Sequence, residues 1–227
     1  RRRASRTSLP VYIVGGSVRD VLLGGTIEDL DFVVEGDAPQ LARQLSSETG
    51  GHLLVHRRFR TATVTLGESR IDVVSARKEV YTRPGALPDV SLGTIRDDLA
   101  RRDFSINALA LPLWEDSPEI IDFHGGMEDL LSGAIRTLHP GSFVDDPTRI
   151  LRAIRYEQRL GFALESHTLS QMRDTVDRGF LSEVSGARLR HELERILQEA
   201  YPGKVLIRAL HLGVMAEIHP ALASVSA

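Results

Sequence analysis

The chain has 227 residues, of which 42% are hydrophobic and 26% charged, and this length suits one large domain or two small ones with a sizeable core. Its formal net charge of -3 argues against a strongly basic surface for nucleic acid over the whole protein. Because it has no cysteine, no apolar run of roughly twenty residues and no secretory segment, the sequence predicts a soluble protein without disulfides or a membrane partner, compatible with a cytoplasmic location.

The first part of the chain combines strand-like and helical patterns. Residues 1–8 are basic and polar without periodicity, which predicts a linker or a disordered segment. Residues 9–139 alternate short apolar runs with helical segments and glycine-rich turns, which predicts a domain built on a mixed sheet with helices. Strands are expected over residues 11–14, 30–34, 61–66, 71–75 and about 108–113, and a helix over residues 38–49.

Helical periodicity replaces the strand pattern from residue 140 to residue 227. Helices are expected over residues 147–160, 167–178, 187–199 and 203–212, so this second part is predicted to be all-helical. A mixed sheet followed by a helical segment places the chain in the α+β class.

A glycine-rich turn follows the first expected strand. Gly15 and Gly16 allow a tight turn with close backbone approach, and residues 17–23 are expected to form a helix that ends at two further glycines. Free backbone N–H groups at a helix start suit a triphosphate. Arg19 would add charge-assisted hydrogen bonds to the same phosphates.

Asp29 and Asp31 come next, and two carboxylates separated by one residue point to the same side of a strand. Magnesium takes oxygen ligands from one or two carboxylates and from substrate phosphates, and two-metal sites about 3.5–4 Å across transfer nucleotidyl groups. An isolated acidic pair is weak support, because surface turns contain many. The glycine turn before this pair strengthens the prediction of a nucleotide-adding enzyme.

Three segments resemble motifs of one family. VGGSVRDVLLGGTIEDLDFVV at residues 14–34 resembles the signature of class II tRNA nucleotidyltransferases and bacterial poly(A) polymerases, within the DNA polymerase β-like superfamily. RRDFSINA at residues 101–108 resembles that family's ribose- and phosphate-contacting motif, and DDPTR at residues 145–149 resembles its base-reading helix. The resemblance runs from about Leu9 to about Gly213. It implies a polymerase β-like nucleotidyltransferase head followed by a helical neck and the start of a body.

The implied activity is Mg²⁺-dependent addition of CMP and/or AMP to the 3′ end of tRNA from CTP or ATP, with release of pyrophosphate. Asp29 and Asp31 would hold the metal ions. Asp72 interrupts an apolar strand and would help to accept the proton of the attacking hydroxyl, although an ordinary strand with one polar face explains it nearly as well. A poly(A) polymerase and a non-catalytic RNA-binding head are the alternative functions.

Residues 77–99 are rich in Pro, Gly and Asp and lack a sustained period, which predicts a long loop. The resemblance implies a flexible loop here with a role in nucleotide choice, and a surface loop without function is the alternative.

The segment after this loop supplies candidate nucleotide-binding residues. Arg102 is expected to contact the triphosphate and Asp103 the sugar hydroxyls. Arg101 is a weaker candidate, because Asp97 or Asp98 can pair with it on a short helix. Asn107 belongs to the same motif, although a lone Asn is more often a structural hydrogen-bonding residue.

The expected helix at residues 147–160 has clear ends. Asp146 suits the N-cap, and Gly161 can end the helix in a left-handed conformation. Arg149, Arg152 and Arg155 recur every third residue. The resemblance implies that they bind the nucleotide and that Asp146 and Arg149 read its base, whereas a solvated helix face is the alternative. The eight histidines show no zinc-type spacing and are assigned no metal or catalytic role.

Overall fold

The computed structural model describes residues 9–25, 30–56, 60–114 and 117–223. They fall into two compact units, one formed by the chain up to residue 79 together with residues 90–130, and one formed by residues 80–89 and the chain from residue 131. The bounds of these units differ from those of the predicted head at residues 9–139 and the predicted neck from residue 140. The head and the neck remain predictions about functional domains.

The first unit is built on a seven-stranded mixed sheet with the strand order β3-β4-β5-β2-β1-β8-β9. Its β2 and β5 are parallel, and its other neighbours are antiparallel. The strands are β1 (Val11–Val14), β2 (Leu30–Val34), β3 (His52–His56), β4 (Thr61–Leu66), β5 (Ser69–Ser75), β6 (Arg77–Val80), β7 (Asp89–Leu92), β8 (Leu109–Pro112) and β9 (Ile121–Asp122), with β6 and β7 forming a separate ribbon. The helices are α1 (Gly16–Leu22), α2 (Ala38–Thr49), α3 (Ile95–Ala100) and α4 (Gly126–Ser132).

Helix α2 covers one face of this sheet. Asp37 caps its start by accepting a hydrogen bond from the Gln40 backbone, and Gly50 ends it with φ at 71°. Its apolar face joins Ala62, Val64 and Val73 in a buried cluster. Since side chains alternate along a strand, the residues between these core positions lie on the opposite face, which carries Asp31 and Asp72.

The second unit is mostly helical. Its helices are α5 (Ser142–Asp145), α6 (Thr148–Leu160), α7 (Ser166–Asp177), α8 (Gly186–Leu197), α9 (Pro202–His211) and α10 (Val214–Ile218). Ile150, Leu151 and Ile154 of α6 are fully buried, and Gly161 ends α6 with φ at 66°, as predicted.

One expectation about secondary structure is wrong. Residues 77–99 are not one long loop, because they contain β6, β7 and the start of α3. The Thr94 and Asp97 side chains each accept a hydrogen bond from the other's backbone N–H, and this capping box starts α3. The predicted α+β class, a mixed sheet followed by a helical part, is confirmed. The helical part also contains one short strand, β11 (Ala163–Leu164), which pairs in parallel with β10 (Ala134–Ile135).

Within the described ranges, no helix combines the length and apolar character needed to cross a membrane.

Candidate active site

The turn between β1 and α1 is held by backbone contacts. Gly15 adopts φ at 71°, which favours glycine, and its N–H donates to the Leu109 carbonyl across the sheet at 3.0 Å. A Cβ at this position would lie 2.5 Å from the Arg102 Nη1 atom. Glycine at residue 15 therefore serves both the turn and the close approach of a guanidinium.

Three predicted nucleotide-binding residues form one buried network beside this turn. Arg19 Nη1 donates to Asn107 Oδ1 at 2.6 Å, and Asn107 Nδ2 donates to Asp103 Oδ1 at 3.0 Å. The two predicted roles of Asn107, nucleotide binding and structural hydrogen bonding, are both compatible with this arrangement. A bridging amide orients its neighbours whether or not it also contacts a ligand. The network fixes the Arg19 guanidinium next to the glycine turn.

Arg102, the predicted triphosphate contact, is paired within the first unit. Its Nη2 lies 2.9 Å from Asp98 Oδ2, and Arg101 Nη2 lies 2.7 Å from Asp98 Oδ1. Burial alone would raise the pKa of Asp98, but the charges of Arg102 and Arg101 and their hydrogen bonds outweigh it and lower that pKa. Asp98 is thus an organising residue, whereas the sequence indicated it only as a partner for Arg101.

The catalytic carboxylates were predicted at residues 29, 31 and 72. Asp31 and Asp72 are register partners on the parallel strands β2 and β5, so their side chains leave the same face of the sheet. Asp31 is exposed, and Asp72 accepts hydrogen bonds from Thr63 Oγ1 and Arg70. Asp29 lies outside the described residues.

The donor set on this face fits a magnesium ion. Magnesium needs only one or two protein carboxylates when substrate phosphates complete its shell, and Asp31, the described member of the predicted metal pair, provides an exposed carboxylate on this face. Among the described residues, no cluster of three or more His, Asp or Glu side chains is arranged to hold a metal by itself. Phosphate oxygens of a bound nucleotide could complete the shell of a metal at this face.

The second unit contains the predicted base-reading residues. Asp146 Oδ1 accepts hydrogen bonds from the Thr148 backbone and hydroxyl at 3.0 and 2.6 Å. The prediction of Asp146 as the N-cap is wrong by one residue, because the N-cap of α6 is Pro147. The same carboxylate lies 2.7 Å from Arg188 Nη2, and Arg188 Nη1 donates to the Gly85 carbonyl at 2.8 Å. Arg188 was not predicted as a site residue, since nothing in the sequence near α8 indicates a partner 42 residues away.

The three predicted arginines of α6, Arg149, Arg152 and Arg155, do not form a solvated face. Arg149 is 4% exposed, and its Nη1 donates to Ser142 Oγ at 2.6 Å. Arg155 is 3% exposed and pairs with Glu199 at 3.3 Å, while its Nε and Nη2 atoms have no hydrogen-bond partner among the described residues. Arg152, which lies between Arg149 and Arg155 in the sequence, is half-buried. Buried cations with fixed directions can recognise an anionic or hydrogen-bonding ligand.

Comparison with known proteins connects both units to one group of enzymes. The model of the poly(A) polymerase head domain matches residues 11–136, and the model described as a probable RNA and SrmB-binding site of polymerase A matches residues 161–225.

Individual relatives agree with these matches. The A-adding tRNA nucleotidyltransferase of Geobacter sulfurreducens is 45% identical over 94% of this chain and 24% of its own length. The CC-adding tRNA nucleotidyltransferase of Deinococcus radiodurans is 42% identical over 90% of this chain and 54% of its own length. A solved CCA-adding enzyme in an apo form has a TM-score of 0.91 at 45% identity, over 96% of this chain and 52% of that one. The chain thus spans from about a quarter to about half of the length of these relatives.

Proposed function

The chain belongs to the poly(A) polymerase head-domain family, and from this membership we propose that it is the catalytic part of a tRNA nucleotidyltransferase that adds CMP and/or AMP to the 3′ end of tRNA. The observation that carries the proposal is the register of Asp31 with Asp72 on one sheet face. Relatives named for A-addition and CC-addition support the substrate class.

In the proposed reaction, the 3′-hydroxyl of the RNA attacks the α-phosphate of CTP or ATP, and the bond to the β-phosphate breaks to release pyrophosphate. Asp29 and Asp31 would hold Mg²⁺, which when bound lowers the pKa of the attacking hydroxyl and stabilises charge on the phosphates. Asp72 would help to accept the hydroxyl proton. The protein contributes mainly by positioning.

Nucleotide binding is proposed for the groups that the first unit holds in place. Arg19, directed by Asn107 and Asp103, would neutralise triphosphate charge beside the turn of Gly15 and Gly16. Arg102 would bind the triphosphate while it keeps its ion pair with Asp98, because an unpaired buried carboxylate would destabilise the fold.

Base recognition is proposed for the second unit. Cytosine and adenine both carry an exocyclic amino group next to a ring acceptor, so Asp146 could accept from the amino group and Arg149 could donate to the ring nitrogen. Uracil and guanine present a carbonyl oxygen and a ring N–H there and would be rejected. Arg152 and Arg155 are proposed to add positive charge for the same nucleotide.

The remaining expectations belong to the same proposal. Residues 9–139 are proposed as the functional head, and residues 140–227 as the neck and the start of the body. The linker predicted at residues 1–8 lies outside the described residues. A cytoplasmic location is proposed because the substrate is tRNA and the chain has no cysteine.

The test is incubation of the chain and Mg²⁺ with tRNAs that end before the first C, after CC and after CCA, each with CTP or ATP. Addition that stops at the correct terminus identifies CC-addition, A-addition or full CCA addition. Repeated addition of AMP to unrelated RNAs would instead identify a poly(A) polymerase. Binding of RNA without any incorporation would leave only a non-catalytic RNA-binding role.

A further inference from the structure

A chain of ion pairs connects strand β6 with Arg102, the proposed triphosphate contact. Arg77 Nη2 lies 2.8 Å from Glu79 Oε1, and Arg101 Nη1 lies 3.1 Å from the same oxygen. Arg101 Nη2 lies 2.7 Å from Asp98 Oδ1, and Arg102 Nη2 lies 2.9 Å from Asp98 Oδ2. Positive and negative groups therefore alternate from the strand to the guanidinium beside the glycine turn.

Glu79 lies on the inner face of β6. Because side chains two residues apart share one face of a strand, Arg77 and Glu79 lie on the same face, and Lys78 and Val80 on the other face are exposed. The Glu79 side chain is 7% exposed, and its two arginine partners offset the cost of removing the carboxylate from water. A buried carboxylate with two fixed donors keeps one geometry.

Asp98 is shared by two arginines, and each of them takes a different oxygen. Arg101 donates from Nε and Nη2 to Oδ1 at 2.9 and 2.7 Å, while Oδ2 accepts from Arg102 at 2.9 Å. One carboxylate does not balance the charges of two guanidinium groups. Because Glu79 shares Arg101 with Asp98, the second oxygen of Asp98 stays available for Arg102.

Arg102 keeps hydrogen-bonding capacity for a ligand. Its Nη1 lies 3.4 Å from the Asn107 carbonyl oxygen, which is a weak contact, and its Nε has no hydrogen-bond partner in the described part of the chain. An arginine presents its N–H donors in a rigid planar fork. The position of the Asp98 carboxylate therefore decides where the remaining donors of Arg102 point.

We propose that Glu79 is a positioning residue for the nucleotide, because the ion pairs that follow it fix the direction in which Arg102 meets the triphosphate. This inference rests on the proposed function, which assigns Arg102 to the triphosphate. A role of Glu79 through its charge alone has the opposite sign. Removal of a negative charge near an anion site would strengthen binding of the anion, whereas loss of positioning would weaken it.

The experiment compares Glu79→Ala with Glu79→Gln. The dissociation constant for ATP is measured by isothermal titration calorimetry with Mg²⁺ and without RNA. Glu79→Ala should raise this constant about tenfold, the size of one hydrogen bond to a charged group. Glu79→Gln keeps an oxygen that can accept from Arg101, so the increase should be only about threefold.

Nucleotide addition at saturating RNA gives a second readout for the same two variants. The KM for ATP should rise in the same order, while kcat should change by less than about twofold, because the contact is made in the ground state as well as in the transition state. A general loss of structure would instead lower kcat.

Arg102→Ala tests the route of the effect. If Glu79 acts through Arg102, adding Glu79→Ala to Arg102→Ala should leave the dissociation constant for ATP unchanged, which a double-mutant cycle detects. Effects of the two substitutions that multiply would overturn the proposal, because they would show that Glu79 affects binding by another route.

The matched control is Glu35→Ala, at the opposite end of α3. Glu35 Oε1 accepts a hydrogen bond from the Ile95 backbone N–H at 2.6 Å, so it holds the same helix through a neutral group. This variant should leave the dissociation constant for ATP unchanged. Equal weakening by Glu35→Ala and Glu79→Ala would overturn the proposal, because it would indicate a general loosening of α3.

Two further results would also overturn the proposal, namely tighter ATP binding by the Glu79 variants and failure of the unchanged chain to bind ATP. ATP binding with the expected pattern but without nucleotide addition would instead refute the proposed function, and it would support the role of Glu79 in binding.

Discussion

The two units hold their charged groups in opposite ways. In the first unit, Asp31 and Asp72 lie on a sheet face that is open to solvent. In the second unit, Arg149 and Arg155 are almost completely buried, and each donates to a neighbouring side chain. An exposed carboxylate can bind and release a metal or substrate at little cost in protein stability, whereas a buried guanidinium keeps one direction.

This difference indicates two kinds of function. A transfer reaction needs a surface that two substrates can reach, and the face with Asp31 provides it. Selection among bases needs hydrogen-bonding groups whose geometry does not change, and the ion pair of Asp146 with Arg188 at 2.7 Å would hold the proposed base-reading carboxylate in one position. Substitutions on the sheet face that carries Asp31 should therefore affect activity more than stability.

The largest effect is expected for Asp31→Ala. Loss of an oxygen ligand for the metal should reduce nucleotide addition by at least about 100-fold, because even partners that only orient metal ligands contribute 10–100-fold. Stability should change by less than about 0.5 kcal/mol, since the side chain is exposed. Incorporation and thermal unfolding are measured on the same sample, with Glu68→Ala as a control that removes an exposed carboxylate in the same unit. Near-normal incorporation would remove Asp31 from the catalytic site.

Asp98→Asn tests the opposite case, a buried charge within the first unit. The substitution leaves Arg101 and Arg102 without their shared carboxylate and should cost about 3–5 kcal/mol in the free energy of unfolding. Because the folded-state pKa of Asp98 is lowered, its contribution is present above about pH 4 and is lost as the pH falls through the folded-state pKa.

Denaturant unfolding at pH 7 and at pH 3 measures this contribution. The difference in stability between the unchanged chain and Asp98→Asn should shrink at the lower pH. A difference that is equal at both pH values would show that the carboxylate charge is not what stabilises the site.

The sequence predicted local features best. The helix expected over residues 38–49 has those bounds in α2, because Asp37 and Gly50 are capping residues within the segment itself. The loop expected over residues 77–99 was wrong because the pairing of β6 with β7 is not encoded by either short strand alone.

The candidate site shows the same limit. Motif spacing selected Arg19 and Asn107 separately, but their hydrogen bond joins residues 88 positions apart. The spacing of Arg149 and Arg155 predicted a shared stripe on a helix, yet it could not show that this stripe would be buried. The periodicity of a sequence shows which side chains share a helix face, whereas the burial of that face depends on which other elements pack against it.

Two substitutions of Asp146 distinguish a role in base reading from a role at the start of helix α6. Asp146→Asn and Asp146→Ser should both lower discrimination against UTP and GTP by about 1–3 kcal/mol, or roughly 5-fold to 150-fold, by analogy with bidentate base contacts. Ser keeps a capping oxygen for the Thr148 N–H, so its stability should fall less than that of an Ala variant. Incorporation of all four nucleotides is measured for each variant. Unchanged selectivity in both would leave Asp146 with a structural role only.

Arg188 is the control for this interpretation. Arg188→Lys keeps a positive charge but cannot donate to Asp146 and the Gly85 carbonyl with one planar group. We expect it to lower selectivity less than Asp146→Asn does, with no change in metal dependence. A loss of metal dependence would show that the effect reaches the carboxylate site rather than base selection.

The smallest effect is expected for Glu165→Ala at the start of α7. Burial raises the pKa of Glu165, but hydrogen bonds from the backbone N–H groups of His167 and Thr168 outweigh it and lower the pKa to about 2. The substitution should cost about 1 kcal/mol, typical of a lost helix cap, and leave nucleotide addition unchanged. Since the folded-state pKa is lowered, this contribution is complete above about pH 4.5 and is lost as the pH falls toward 2.

Asp174→Ala is the matched control in the same helix, because Asp174 forms an exposed i,i+4 pair with Arg178, a type of contact that contributes about 0.3–0.5 kcal/mol. In chemical unfolding at pH 7, Glu165→Ala should have a lower free energy of unfolding than Asp174→Ala. The two variants should converge near pH 2, where Glu165 binds a proton in the folded state and its capping contribution is reduced. A Glu165 effect that persists at pH 2, or one that changes nucleotide addition, would contradict a purely local cap and would connect α7 to the function of the second unit.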